Sequence, residues 1–327
     1  MAMTTCATEK TSVACSFIAE MVLPKNILNA VQEQVVGRHR EIELTLAALA
    51  ARRHIVLEGP PGTGKSTLLR AIAEAMNVGF VFVEGNAELT PARLAGTFDP
   101  ARVLNDGYKP DAFLDGPLVE AMRAGSLLYI EEINRIPEET LNVLITVMSE
   151  GEITIPRLGR ILAAPGFQMI AAMNPFDTVG TARISSAVYD RMCRIAVAYQ
   201  SAKEETNIVH RASPTSNMRW CSQVVNVVRQ TREHSDLRMG SSVRGAIDTA
   251  LVAQSLGELR GLNAQDALVG LDAALTSLSG RVKLREGVTR SVEEVIAEIW
   301  NSVFALPSET GDVGKVTAPT GATNSHL

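Results

Sequence analysis

The sequence predicts an α/β fold, a mostly parallel β-sheet sandwiched by helices, with an all-α domain after it. Three observations predict this. From about residue 25 to 200, short apolar runs rich in β-branched residues alternate with helical patterns. Strands buried on both faces read as such continuous apolar runs, because helices cover each side of a parallel sheet. From about 201 to 305 helical spacing takes over. The length agrees, since 327 residues at roughly 150 per domain suggests about two domains.

The strands are read at His54–Leu57, Phe80–Val83, Leu127–Ile130 and Gln168–Ala172. Each is a short apolar run of strand length. Helical spacing recurs between them, at Leu69, Ile72, Ala73 and Met76, and at Leu141, Leu144, Ile145 and Met148. Two segments break the alternation. Residues 96–116 are rich in Gly, Asp and Pro. Within 151–165, Ile153–Ile155 and Arg160–Leu162 flank Pro156–Gly159, which predicts a β-hairpin. In the second regime, helices are expected over 202–211, 218–233, 242–256, 263–278 and 291–305, punctuated by Gly240, Gly257 and Gly261. Residues 1–18 and the tail 307–327 carry too little apolar surface to offset their ordering entropy and are expected to be disordered. The domain expectation is thus a core over 19–200 and a helical domain over 201–306.

Composition narrows the function. Hydrophobic residues make up 46% of the chain, enough for a sizeable core, and charged residues 20%. A net charge of −5 argues against a phosphate-backbone partner, which needs clustered Lys and Arg. Cys6, Cys15, Cys193 and Cys221 fit no metal or redox spacing and read as free thiols of a reducing cytosol. The apolar stretch Phe17–Leu23 is interrupted by Glu20 and lacks a basic lead-in, so it does not read as a signal peptide. No run approaches the roughly 18 apolar residues of a membrane span. A cytoplasmic location is expected.

One segment carries chemistry outright. Gly59-Pro60-Pro61-Gly62-Thr63-Gly64-Lys65-Ser66 follows an apolar strand and opens an amphipathic helix. This is a phosphate-binding loop in its proper context. Glycines let the backbone curl so that successive N–H groups point into one anionic cavity. The helix adds its positive dipole end. Lys65 supplies a mobile charge for the β- and γ-phosphates, and the Ser66 hydroxyl is a hard oxygen suited to Mg²⁺. ATP and Mg²⁺ are the expected ligands, with Thr67 completing the loop's nucleotide contacts.

Hydrolysis needs a second, acidic element to hold the metal and prepare water. Ser126-Leu127-Leu128-Tyr129-Ile130-Glu131-Glu132 supplies an apolar strand ending in two carboxylates. Glu131 is expected at the metal and Glu132 at the attacking water. Taken alone, the segment would read as a solvated strand end; the phosphate loop upstream changes that.

With these residues in place, the chain resembles the MoxR family of AAA+ ATPases, in the helix-2-insert group that includes magnesium chelatase ATPase subunits. The resemblance runs over roughly 30–300. Val35-Val36-Gly37-Arg38 looks like the element that packs on adenine, and Glu132-Ile133-Asn134-Arg135 like the family's extension of the acidic motif. Residues 96–116 look like the helix-2 insert and 151–165 like the hairpin before sensor 1. By the same resemblance Asn174 is sensor 1, Arg191 the arginine finger with Arg194 in reserve, and Arg244 sensor 2 at the start of a lid helix. The plain alternatives are an Asn-Pro turn, a salt bridge to Asp190 and a helix-surface arginine. ATPases of this kind usually carry Asp where this chain has Glu131, one methylene longer, which bears on turnover more than on binding.

The resemblance implies a homo-oligomeric ring, typically a hexamer, in which Arg157 and Arg160 could face a pore. It also implies a protein with a von Willebrand factor A domain as partner and an enzyme client. The stretch Gly180–Ser186 looks like the branch linked to carbon monoxide dehydrogenase and related molybdenum hydroxylases. Two other functions fit the same loop: a nucleotide switch with little turnover, and a chelatase subunit.

Overall fold

The computed structural model describes residues 25–175 and 185–304. The expectations for 1–18, 307–327 and most of Gly180–Ser186 fall outside the described residues. The chain divides into two compact units. The first runs to Ala212 and takes in Ser242–Arg244; the second comprises Ser213–Ser241 and the chain from Gly245.

The first unit opens with helices α1 (Lys25–Gln34) and α2 (His39–Ala50), followed by β1 (His54–Glu58), α3 (Lys65–Met76) and β2 (Phe80–Glu84). An insert follows, made of α4 (Pro91–Ala95), β3 (Gly96–Phe98), α5 (Pro100–Asp106) and β4 (Phe113–Asp115). Then come α6 (Pro117–Ala124), β5 (Leu127–Glu131), α7 (Glu138–Glu150), the hairpin β6 (Glu152–Ile155) and β7 (Gly159–Leu162), and β8 (Gln168–Met173). The unit closes with α8 (Ser186–Tyr189), β9 (Met192–Ala196) and α9 (Ala202–Ala212). Strands β2-β5-β8-β1-β9 form one sheet in that order, every neighbouring pair parallel.

The apolar runs are explained by two cores. Ile55 and Leu57, Leu127 and Tyr129, and Ile170 and Ala172 project to one face, against Ile42, Leu49, Leu69 and Ile72 of α2 and α3. Val56, Leu128, Ile130, Met169 and Ala171 project to the other, against Leu118, Met122, Leu141 and Leu144 of α6 and α7. Period-2 alternation is therefore present, but both faces are apolar, so it is invisible as a polarity pattern. β9 is the exception. It is an edge strand with Cys193 and Arg194 exposed, and its mixed polarity carries no sequence signal.

The two segments that break the alternation share a third, smaller core. Phe113 of the insert packs with Ile155 and Ile161 of the hairpin, and Phe98, Ile153 and Leu158 line it. The insert is itself a short antiparallel pair, β3 with β4, and the hairpin pairs β6 with β7 as expected.

The second unit is helical, with a two-stranded ribbon. It comprises α10 (Met218–Glu233), β10 (Leu237–Met239), α11 (Val243–Arg260, whose first two residues group with the first unit), α12 (Ala267–Leu278), β11 (Lys283–Leu284) and α13 (Val292–Phe304). Two boundaries differ from expectation. α11 runs on past Gly257 to Arg260. A Cβ at Gly257 would come within 2.8 Å of the Ala264 amide nitrogen, so this glycine serves a close backbone approach and not a helix end. α12 starts at Ala267, later than expected, because the Asp266 side chain caps it by accepting from the Leu268 and Val269 amides. Among the described residues, no helix is long and apolar enough to cross a membrane.

Candidate functional site

The parallel register brings the carboxyl ends of β1, β5 and β8 to one sheet edge, where Glu58 pairs with Met173 and Ile130 with Ala171. Ligands of open α/β sheets bind at that edge. The phosphate loop leaves β1 there. Gly59 N–H donates to the Met173 carbonyl at 3.1 Å, and Thr63 Oγ1 donates to the Pro60 carbonyl at 2.9 Å. Gly62 and Gly64 adopt left-handed backbone, φ 71° and 79°. Gly64 then caps α3, whose first residues are Lys65 and Ser66. Thr67 lies exposed in the same turn.

Lys65 is buried, and its ammonium donates to the carbonyls of Gly59 and Pro60, each at 3.0 Å. Burial lowers its pKa; Glu131 and Glu132 oppose that, while Arg244 and Arg38 add to it. A cation so placed, beside curled amides at a helix N-terminus, is suited to a polyphosphate.

The acidic strand meets the loop. Ser66 Oγ donates to Glu131 Oε2 at 2.7 Å, across 65 residues of sequence. The Tyr129 hydroxyl lies 3.3 Å from Ser66 Oγ, and burial raises its pKa, keeping it a neutral phenol. Ser66 and Glu131 thus set two hard oxygens side by side, the donor chemistry that Mg²⁺ takes, and the residues fit that ion. Glu132 follows in left-handed backbone, φ 53°, with a carboxylate oxygen 3.0 Å from Arg135 Nη1. Gly85, at the end of β2, donates its N–H to the Glu131 carbonyl at 2.7 Å and so fixes this strand end.

Arg38, in the element expected to pack on adenine, does something more. It is buried, in left-handed backbone, and its guanidinium donates twice to the Thr63 carbonyl at 3.1 and 2.7 Å. It also donates to the Ala198 carbonyl at 2.8 Å and pairs with Glu41 at 3.0 Å. The loop is therefore clamped from behind by a residue that lies outside its motif. Next to it, the Val36 carbonyl accepts from Gln200 Nε2 at 2.7 Å, and a Cβ at Gly37 would run into the Glu204 carboxylate.

The family model for an AAA domain of the dynein-related subfamily matches residues 54–192, the stretch from β1 to the start of β9. An uncharacterized protein of Staphylococcus saprophyticus is 30% identical over 207 residues, covering 62% of this chain and 78% of its own length. The chain belongs to the AAA family. The protein YeaC of Bacillus subtilis, also uncharacterized, is 28% identical over 249 residues, 68% of this AAA chain and 74% of YeaC. Among solved structures, a proline-to-glycine point mutant of Thermotoga maritima RuvB aligns with a TM-score of 0.50 at 18% identity, covering 76% of this chain and 72% of that one. At that identity the likeness speaks for the AAA fold alone, a parallel sheet flanked by helices with a helical region after it.

The remaining predicted residues of this AAA chain distribute as follows. Asn174 directly follows β8, between β5 and β1 at the loop's edge of the sheet. Arg244 groups with the first unit. Its Cδ lies 3.6 Å from where a Cβ on Gly62 would stand, and Ser242 Oγ is nearer still. Arg191 is anchored on its own chain, with Nη1 3.9 Å from Asp190 Oδ2, the salt bridge that is its plain alternative. Its Nε donates to Ser149 Oγ at 2.5 Å and its Nη1 to the Ala187 carbonyl at 2.9 Å. Arg194 pairs with Glu58. Arg157 stacks on the Tyr108 ring at 3.7 Å and Arg160 pairs with Glu152, so both hairpin arginines make contacts within the AAA core. A cleft of about 510 Å³ between α4, α7 and β6 belongs to these inserts and not to the phosphate loop.

Proposed function

We propose that this AAA protein is a Mg²⁺-dependent ATPase of the MoxR kind that couples hydrolysis to the remodelling or maturation of a client protein. The observation that carries the reading is the Ser66–Glu131 hydrogen bond, which joins the phosphate loop to the acidic strand. In the proposed reaction the loop amides and Lys65 hold the β- and γ-phosphates. Ser66 and Glu131 would hold Mg²⁺, which would supply positive charge against the phosphate oxygens. Glu132 takes a proton from water as the water oxygen bonds to the γ-phosphorus. The bond to the bridging oxygen breaks, and ADP and phosphate leave. Asn174 orients the water, Val36 and Gly37 border the base, and Arg244 senses the phosphate end. Glu131 is one methylene longer than the usual Asp, and its carboxylate meets the Ser66 hydroxyl directly.

Arg191 is proposed to act on a neighbouring subunit's ATP, within a homo-oligomeric ring of hexameric type working in the cytoplasm. A guanidinium supplied in trans offsets charge that develops on the γ-phosphoryl group. In this reading residues 19–200 form the motor core and 201–306 its lid. A von Willebrand factor A protein and a metalloenzyme client remain part of the proposal on family resemblance. The experiment is steady-state phosphate release from wild type and Arg191→Ala. Sustained turnover that is lost in the variant supports the motor. A second reading, a nucleotide switch, is favoured by one contact: Glu132 is paired with Arg135 and so held as a resting carboxylate. Negligible wild-type turnover, with or without a partner, would select it.

A further inference from the structure

Glu58 is a buried carboxylate that the proposed reaction does not use. It ends β1, directly before Gly59, with 6% of its surface exposed. Each of its oxygens takes one donor, and both donors come from the segment around Arg191. Tyr189 Oη donates to Oε1 at 2.6 Å and Arg194 Nε to Oε2. Tyr189 ends α8, two residues before Arg191, and Arg194 stands on β9 opposite Val56 of β1. Burial and the Glu58 carboxylate together push the Tyr189 hydroxyl up to about 12, so it remains a protonated donor.

A sheet edge does not need this arrangement. Burying a carboxylate is costly, and an apolar side chain would close the end of β1 at less expense in free energy. What the carboxylate adds is direction. On one side Glu58 is bonded to Gly59, whose carbonyl receives the Lys65 ammonium. On the other it grips both flanks of the short stretch that carries Arg191. Tyr189 also contacts Met173 Sδ at 3.2 Å, and Met173 accepts from the Gly59 amide, so the two segments are held at two points. Arg194 has 58% of its side chain exposed, so this arm of the clamp can exchange its partner for water.

We propose that Glu58 is a positioning residue that couples the nucleotide state of one subunit's phosphate loop to the arginine the same subunit presents to its neighbour. This rests on the in-trans role proposed for Arg191. Loading the loop with triphosphate draws Lys65 from the Gly59 and Pro60 carbonyls. The junction at Glu58–Gly59 shifts, and Tyr189 and Arg194 carry the shift to Arg191, which is otherwise anchored on Ser149 and Ala187. Cooperativity between subunits then has a covalently short path.

The test is a set of mixed assemblies of the full-length chain. Arg191→Ala subunits keep a working site but offer no finger; Glu132→Gln subunits offer a finger but cannot turn over. Their mixture should regain phosphate release that neither has alone; if it does not, the in-trans reading falls and the coupling falls with it. Given a working mixture, Glu58→Gln is added to one partner at a time. The expected result is a loss of turnover within the 5- to 150-fold range of allosteric couplings, roughly, when Glu58→Gln is in the finger-donating subunit. A clearly smaller loss is expected when it is in the working-site subunit. In homogeneous assemblies Glu58→Gln should lower kcat and bring the ATP dependence towards a Hill coefficient of one, with the affinity for a fluorescent ATP analogue little changed. Tyr189→Phe, which keeps the ring, should do the same in milder form, and the double variant should be no worse than Glu58→Gln alone. Unchanged kcat in both variants, or an equal or larger loss from the working-site subunit, overturns the coupling while leaving the ATPase reading in place.

Discussion

Ser66 Oγ lies 2.7 Å from Glu131 Oε2 and donates its hydrogen to it, joining the first turn of α3 to the end of β5. The two side chains are held from different elements, so their approach is set by the sheet: β1 and β5 flank β8 in parallel register. If they hold Mg²⁺ together, removing either should cost affinity only when the metal is present. Ser66→Ala and Glu131→Gln are expected to weaken Mg-ATP binding by at least about tenfold, the loss that even an outer partner of a metal ligand brings. Titration of a fluorescent ATP analogue with Mg²⁺ and with chelator checks this. An unchanged metal dependence in both variants would contradict the assignment.

Lys65 gives a pH prediction. Burial holds its pKa below the ordinary 10.5, so charging it is harder in the folded chain than in the unfolded one. Between the lowered value and 10.5 the unfolded state binds more protons, and stability rises with pH across that window. Urea midpoints of the nucleotide-free protein, taken from about pH 7 to about pH 10, should show this Lys65 contribution as a rise that Lys65→Met removes. The same variant should no longer bind ATP.

Arg38 is predicted to be a stability residue as much as a nucleotide one. Arg38→Ala strips donors from the Thr63 and Ala198 carbonyls and leaves Glu41 without its partner. An unsatisfied buried polar group costs about 1–3 kcal/mol, so a destabilisation of roughly 3 kcal/mol is expected by denaturant unfolding. Arg38→Lys should recover little, because an ammonium lacks the planar fork that spans these acceptors. A change within about 0.5 kcal/mol, the size of an ordinary surface substitution, would show that the clamp contributes nothing.

The sequence disclosed what local chemistry constrains. A phosphate loop needs glycines, a lysine and a hydroxyl at fixed spacing, and an acidic strand needs its carboxylates at the sheet edge, so Gly59–Ser66 and Glu131–Glu132 were legible. The three inner strands β1, β5 and β8 were legible because both faces of the sheet are covered there, and the edge strand β2 because Phe80–Val83 is an apolar run. Contacts made at a distance were not. Arg38 meets Thr63 across 25 residues and Ala198 across 160, and Glu58 meets Tyr189 and Arg194 across 131 and 136. Nothing in the residues around Glu58 distinguishes a buried carboxylate from a solvated strand end; its partners come from α8 and β9, neither of which had a sequence signature. Gly257 shows the converse error, a glycine read as punctuation where it admits a neighbouring backbone.

Whether the twin acids at the end of β5 prepare the cleavage of a triphosphate held by the loop is decided by Glu132→Gln. The amide keeps the size of the side chain but cannot take a proton from water. Parallel measurement of ATP affinity and single-turnover phosphate release should show ATP bound about as tightly as in wild type. Release should be slowed by at least about 100-fold, on the order of what a positioned general base contributes. Phosphate release at the wild-type rate from the Glu132→Gln variant, in protein that still binds ATP, would show that Glu132 is not the base.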